Sequence, residues 1–254
     1  MKILILILVL MVIVILSLIY FFCIICKSNT NKSNFINGQH NINFYDHKQA
    51  HAFILEDKDH YIKNMSNYDL IARLNASNEK YKILSANDML EFTTIEKNKL
   101  LYLMNKVKLS ALGINSLGIN FIKIGNIYEN GFPHTRENII LIPYTFFLKD
   151  EKEQLNTLTH ECIHIYQRYN PIETESILNK YGFKKIGNFS MLFPNEYKSR
   201  RSNPDLDENI WQDPNGELMF PIFSILPPTS MNDITNDKME HPYEWMAYNS
   251  AYFV

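Results

Sequence analysis

The sequence predicts a single α+β domain, mainly helical, with a small sheet ahead of its longest helix, behind an N-terminal transmembrane helix. Three observations carry that expectation. Ile3 to Cys26 runs without a charge, long enough as a helix to cross a bilayer core with some tilt. Ile119 to Ile124 and Asn138 to Ile142 are β-rich runs on either side of a turn signal at Glu129-Asn130-Gly131. From Asp150 to Tyr169, Leu155, Leu158, Cys162, Ile165 and Tyr169 recur at helical spacing as one apolar stripe.

The chain of 254 residues is long enough for one substantial domain. A net charge of -2 and a pI near 6.4 exclude the basic surplus of a nucleic-acid binder. Of its 3 cysteines, Cys23 and Cys26 fall in the leader, so no disulfide framework is available to the rest. Cys162 lies on the apolar stripe and reads as a small core residue.

In chain order, residues 1–26 read as a transmembrane anchor. No small-x-small cleavage site follows the apolar run, which ends Phe21-Phe22-Cys23-Ile24-Ile25-Cys26. A single-pass membrane location follows, with the bilayer as a partner through residues 3–26. Residues 27–50, rich in Asn and Ser at their start, read as a flexible stem, and residues 51–254 as the folded domain. Asp59 to Leu74 is expected to be helical, with Tyr61, Met65, Tyr68, Ile71 and Leu74 on one side. Thr93 and Glu96 form a capping box that opens a helix to about Lys108. The two β-rich runs are expected to form a strand pair bordering a cleft, open to an extended peptide by main-chain pairing. His134, between them, is expected in a solvated loop. Pro171 starts a short helix that Gly182 closes, and Phe183 to Ile186 reads as a strand. The alternation of Asn203, Asp205 and Asp207 reads as a capped turn, and Asp213-Pro214-Asn215-Gly216 as a hairpin turn. Pro242 starts a final helix.

The helix at 150–169 carries His160-Glu161-x-x-His164, an HExxH pattern. Residues four apart share a helix face, so both imidazoles can converge on one zinc ion. Glu161 sits beside them and can take a proton from a metal-bound water. Thr157, His160, Glu161, His164 and Arg168 form the face opposite the apolar stripe. Asp150, Glu151 and Glu153 suit the N-terminal end of the helix dipole, and Asn170-Pro171 stops the helix. A catalytic zinc takes three protein ligands and leaves a position for water. Candidates for the third are Glu173, Glu175, Glu196, Asp205, Asp207, Glu217, Glu240, His241 and Glu244. Glu244 fits best: it opens a short helix, flanked by aromatic residues, with the small Ala247 three positions on.

HECIH followed far downstream by HPYEWMA resembles the HExxH…Glu arrangement of gluzincin metallopeptidases. The wider set of PHTREN, IILIP, THECIHIYQRYNP, RSNPD and HPYEWMAY is similar to uncharacterised zinc metallopeptidases of large DNA viruses. The resemblance covers about the last half of the chain. It implies a zincin-like domain, one Zn²⁺ held by His160, His164 and Glu244, and Glu161 as general base. It also implies a peptide or protein substrate and a place in a virion or host endomembrane. The gap from His164 to Glu244 is a departure, much longer than in thermolysin-like members. Donors for the tetrahedral oxyanion are sought among His241, Tyr243 and Tyr166, with Tyr248, His134 and Arg200 as further choices. Two other functions fit the same residues: a zinc hydrolase of a non-protein amide, and an inactive membrane-tethered structural or binding protein.

Overall fold

Runs of isoleucine build the sheet around which the chain folds. The computed structural model describes residues 41–107, 113–114, 116–234 and 240–249. One sheet joins β1 (Ile42–Phe44), β2 (Met89–Leu90), β3 (Ile119–Ile124), β4 (His134–Arg136) and β5 (Ile139–Pro143). β3 pairs in parallel with β1 and β5, and β2 adds antiparallel to the far end of β3. β4 folds back antiparallel on β5 and makes the sheet edge. All five residues of β5 are buried, the continuous apolar run of a strand covered on both faces.

Alternation along β3 and β5 sorts their side chains between two cores. Ile122, Ile124, Ile139 and Leu141 face one core with α1 (His47–Glu56), α2 (Asn67–Arg73) and α3 (Asn78–Asn87), which supply Ala50, Ile54, Leu70 and Tyr81. Ile119, Phe121, Ile140 and Ile142 face the other, with α4 (Thr94–Met104) and the long α5 (Glu151–Tyr169). Leu158, Cys162 and Ile165 enter that core from the apolar stripe of α5, each fully buried aliphatic contributing about 1.5–3 kcal/mol. Asp150 caps α5 by accepting from the Glu153 N–H at 2.8 Å. After α6 (Pro171–Lys180), β6 (Lys184–Asn188), α7 (Phe189–Leu192), β7 (Asn209–Gln212) and β8 (Leu218–Met219) lead to α8 (Pro242–Tyr248). β6, β7 and β8 form a second, antiparallel sheet. The turn at Asp213–Gly216 joins β7 to β8, with Asp213 accepting from the Asn215 and Glu217 N–H groups.

Several expectations are corrected. The fold is α+β with small sheets, and among the described residues no helix is long and apolar enough to cross a membrane. The single-pass membrane location is corrected on the same finding, and the expected anchor at residues 3–26 lies outside the described residues. The expected stem does not extend to residue 50, because β1 pairs with β3 and a capping box at Asp46 and Gln49 opens α1. Residues 59–66 are not helical: the Asp57 carboxylate accepts from the Ile62 and Lys63 N–H groups, and His60 takes a left-handed φ of 59°. The helix there begins only after Ser66, whose capping box with Asp69 starts α2. α4 ends at Met104, and Lys108 lies outside the described residues. The expected strand pair is a parallel one, with β4 between its members in sequence. His134 is therefore not a solvated loop residue; it is 3% exposed, on β4.

Candidate metal centre

α5 presents His160 and His164 one turn apart, and α8 lies across them. Their ring centroids are 4.6 Å apart at 78°, and the two Nε2 atoms are 3.0 Å apart. Glu244, in the first turn of α8, places Oε2 3.3 Å from His160 Nε2 and 3.7 Å from His164 Nε2. Three ligand atoms therefore converge. Bonds of about 2.0–2.1 Å in a tetrahedron about zinc set neighbouring ligand atoms about 3.4 Å apart. The observed spacings bracket that value, so the donor set fits the ion in kind and in size.

The chain matches no protein-family model, no curated protein and no solved structure. The geometry therefore carries the functional argument by itself.

His164 is 1% exposed, and its orientation is fixed from behind. Its Nδ1 stands 2.8 Å from Gln167 Oε1. The Gln167 amide is oriented by its other end, because its Nε2 donates to the Tyr243 carbonyl at 2.9 Å. An amide oxygen only accepts, so the His164 proton sits on Nδ1 and the Nε2 lone pair points into the site. The same side chain ties α5 to α8 next to Glu244. Asn203 Nδ2 donates to Glu240 Oε1 at 2.8 Å and reaches Glu244 Oε1 at 3.4 Å. No role for Gln167 was read from the sequence; its place one turn past the second histidine is the signal that could have marked it. Nothing in the sequence ties Asn203 to position 244.

Glu161 is 3% exposed, and its Oε2 has no hydrogen-bond partner. Burial, then the charge of Asp205, push its carboxyl well above the usual range. Burial also opposes ionisation of Glu244, but the His164 and His160 imidazoles hold that carboxyl well below its usual value. For His164, burial lowers the pKa, while Glu244, Asp205 and Glu161 together raise it to about 10. These carboxylates make a field that calls for positive charge, and a dication satisfies it while displacing the proton.

The cleft beside the triad has a volume of about 380 Å³ and is lined by His160, Glu244, His134, Asp205, Phe132 and Tyr248, among others. Of the expected donors, Tyr248 and His134 line it, and His241, Tyr243 and Tyr166 do not. His241 is the N-cap of α8, with Nδ1 accepting from the Tyr243 N–H and Nε2 3.0 Å from Asp207 Oδ1. Tyr243 packs on Trp211 and His241, and burial with the nearby Asp207 raises its hydroxyl pKa. Tyr166 belongs to the core, where burial and Glu173 push its hydroxyl up to about 12. Of the other third-ligand candidates, Glu240 pairs with Arg201 at 2.6 Å, and Asp207 faces His241. Asp205 accepts from both the N–H and the Oγ1 of Thr135 at 2.7 Å.

That last contact closes the edge of β4. The Thr135 N–H, which would pair with an added strand, is taken by Asp205. Its carbonyl accepts from Arg168 Nη2 at 3.5 Å, while Arg168 Nη1 bonds the Glu137 carbonyl at 2.8 Å. The main-chain pairing of a peptide expected at the 119–124 and 138–142 strands is therefore corrected: β3 and β5 both lie inside the sheet, and at the β4 edge side chains from α5 and the 203–205 turn already occupy the Thr135 backbone groups.

Proposed function

We propose that the chain is a zinc-dependent peptidase that hydrolyses peptide bonds, with one zinc on His160, His164 and Glu244 and Glu161 as general base. One observation carries this reading: ligand atoms from two separate helices meet at tetrahedral spacing beside a buried carboxylate with a free oxygen. Zinc, when bound, supplies a polarised carbonyl and a water whose pKa is lowered towards about 7. Glu161 takes the proton of the attacking water and returns it to the leaving amine. Gln167 holds His164 in the ligating tautomer, and Asn203 steadies Glu244.

The test uses the full chain. Wild type is expected to bind one zinc per chain and to cleave an unstructured protein. His160→Ala and Glu244→Ala should lose the metal, as read by elemental analysis after gel filtration. Glu161→Gln should keep the zinc and lose cleavage. A wild type that stays metal-free in excess Zn²⁺, or a Glu161→Gln variant that cleaves at the wild-type rate, refutes the assignment.

A further inference from the structure

Addition of water to a peptide carbonyl places negative charge on the former carbonyl oxygen. A preorganised donor aimed at that oxygen commonly contributes about 10²–10³ in kcat. The donors expected from sequence, His241, Tyr243 and Tyr166, all make their contacts outside the cleft. The side chains that do line it beside the triad are mostly committed. His134 Nδ1 stands 2.9 Å from the Phe132 carbonyl, so it carries the proton and leaves Nε2 only able to accept. Arg201 is paired with Glu240, and Ser202 Oγ donates to Asp69. Asn203 Nδ2 is held between Glu240 and Glu244.

Tyr248 is different. It lies one turn beyond Glu244 on α8, so the two project from the same face. Its ring centroid is 4.6 Å from that of His160. It lines the cleft, and it is 76% exposed although it stands against the triad. The ring contact with His160 restrains the side chain, while the hydroxyl stays open to a substrate.

We infer that Tyr248 is a catalytic residue: its O–H donates a hydrogen bond to the oxyanion that forms when water adds to the scissile carbonyl. This rests on the peptidase reading above. The water oxygen bonds to the carbonyl carbon as its proton passes to Glu161, and the π pair moves onto the carbonyl oxygen. Tyr248 donates to that oxygen and keeps its own proton. On collapse the pair returns, the C–N bond breaks, and the nitrogen takes the proton from Glu161. Fixing the donor on the helix that carries Glu244 couples it to the third ligand, so both arrive together when α8 docks.

The test is Tyr248→Phe in the full, zinc-loaded chain, which keeps the ring over His160 and removes the hydroxyl alone. Expected are unchanged zinc stoichiometry, KM within about twofold and kcat lowered by about 10²-fold. In calorimetry, a phosphinic peptide, with tetrahedral phosphorus in place of the scissile carbon, should bind the variant about 10²-fold more weakly. A product peptide with a planar carboxylate should lose far less. Wild-type kcat together with wild-type affinity for the phosphinic peptide overturns the inference. A zinc-loaded wild type inert towards peptides would instead overturn the peptidase reading, and the calorimetric comparison would still decide the role of Tyr248.

Discussion

Gln167 shows how a single side chain turns a histidine into a ligand. A neutral imidazole ligates through whichever nitrogen lacks the proton, and the hydrogen bond on the other nitrogen selects it. Gln167 makes that selection for His164 and holds the Tyr243 carbonyl with its other end. Gln167→Leu removes both contacts with little change of volume. It is expected to weaken zinc binding about 10–100-fold, as measured by competition with a chromogenic chelator. His160, Glu161 and His164 were legible in the sequence because helical spacing fixes their relation whatever surrounds them. The burial of Glu161 and His164 was not. The polar side of α5 is covered by α8 and by the 200–207 segment, which are distant in sequence.

At the scale of the element, α8 decides whether the triad exists. Seven residues make a marginal helix alone, so its position depends on what holds its start. His241 caps it, and Asp207 holds His241 from the other side. Burial would raise the Asp207 carboxyl; the hydrogen bond and charge of His241, with Asn209, outweigh it and hold the carboxyl at about 2. A carboxyl whose pKa is depressed on folding stabilises the fold above its unfolded value, near 3.9, and that stability is lost as pH falls through the folded value. Asp207→Asn is therefore expected to lower stability by roughly 2 kcal/mol near neutrality, with the two unfolding curves converging between about pH 4 and pH 2. Urea unfolding of both proteins in a chelator, across that range, checks it. The start of α8 was legible because proline suits the first helical turn. β4 was not: three residues give too short a pattern, and pairing with β5 decides their conformation.

At the scale of the molecule, a buried polar network ties the wall of the cleft to the distal core. Arg73 on α2 bonds Asp69 at 3.1 Å, Glu129 at 2.8 Å and the Ser202 carbonyl at 2.8 Å. Glu129 also accepts from the Tyr81 hydroxyl, and Asp69 accepts from the Ser202 N–H at 2.7 Å. The 200–207 segment is held at its start by the Arg200–Ile222 bridge and the Arg201 N–H to the Pro221 carbonyl, and at Ser202 by these charges. Replacing Arg73 by Met leaves Glu129 buried without its partner. The expected cost is about 3–5 kcal/mol, a large share of an ordinary domain's stability, read as a shift in the urea midpoint.

What the sequence determined by itself is local: the capping box at Thr93 and Glu96, the hairpin turn at Asp213–Gly216, the start of α8, and the helix that aligns His160, Glu161 and His164. Each follows from interactions within a few residues, which spacing reveals. The sequence favoured Glu244 among nine candidates, but the tertiary structure alone brought it to the two histidines and decided which hydroxyl faces the cleft and that the edge of β4 is closed. Those outcomes depend on α8 and the 200–207 segment folding back onto α5, and such long-range contacts are set by shape and buried charge that no short window of sequence contains.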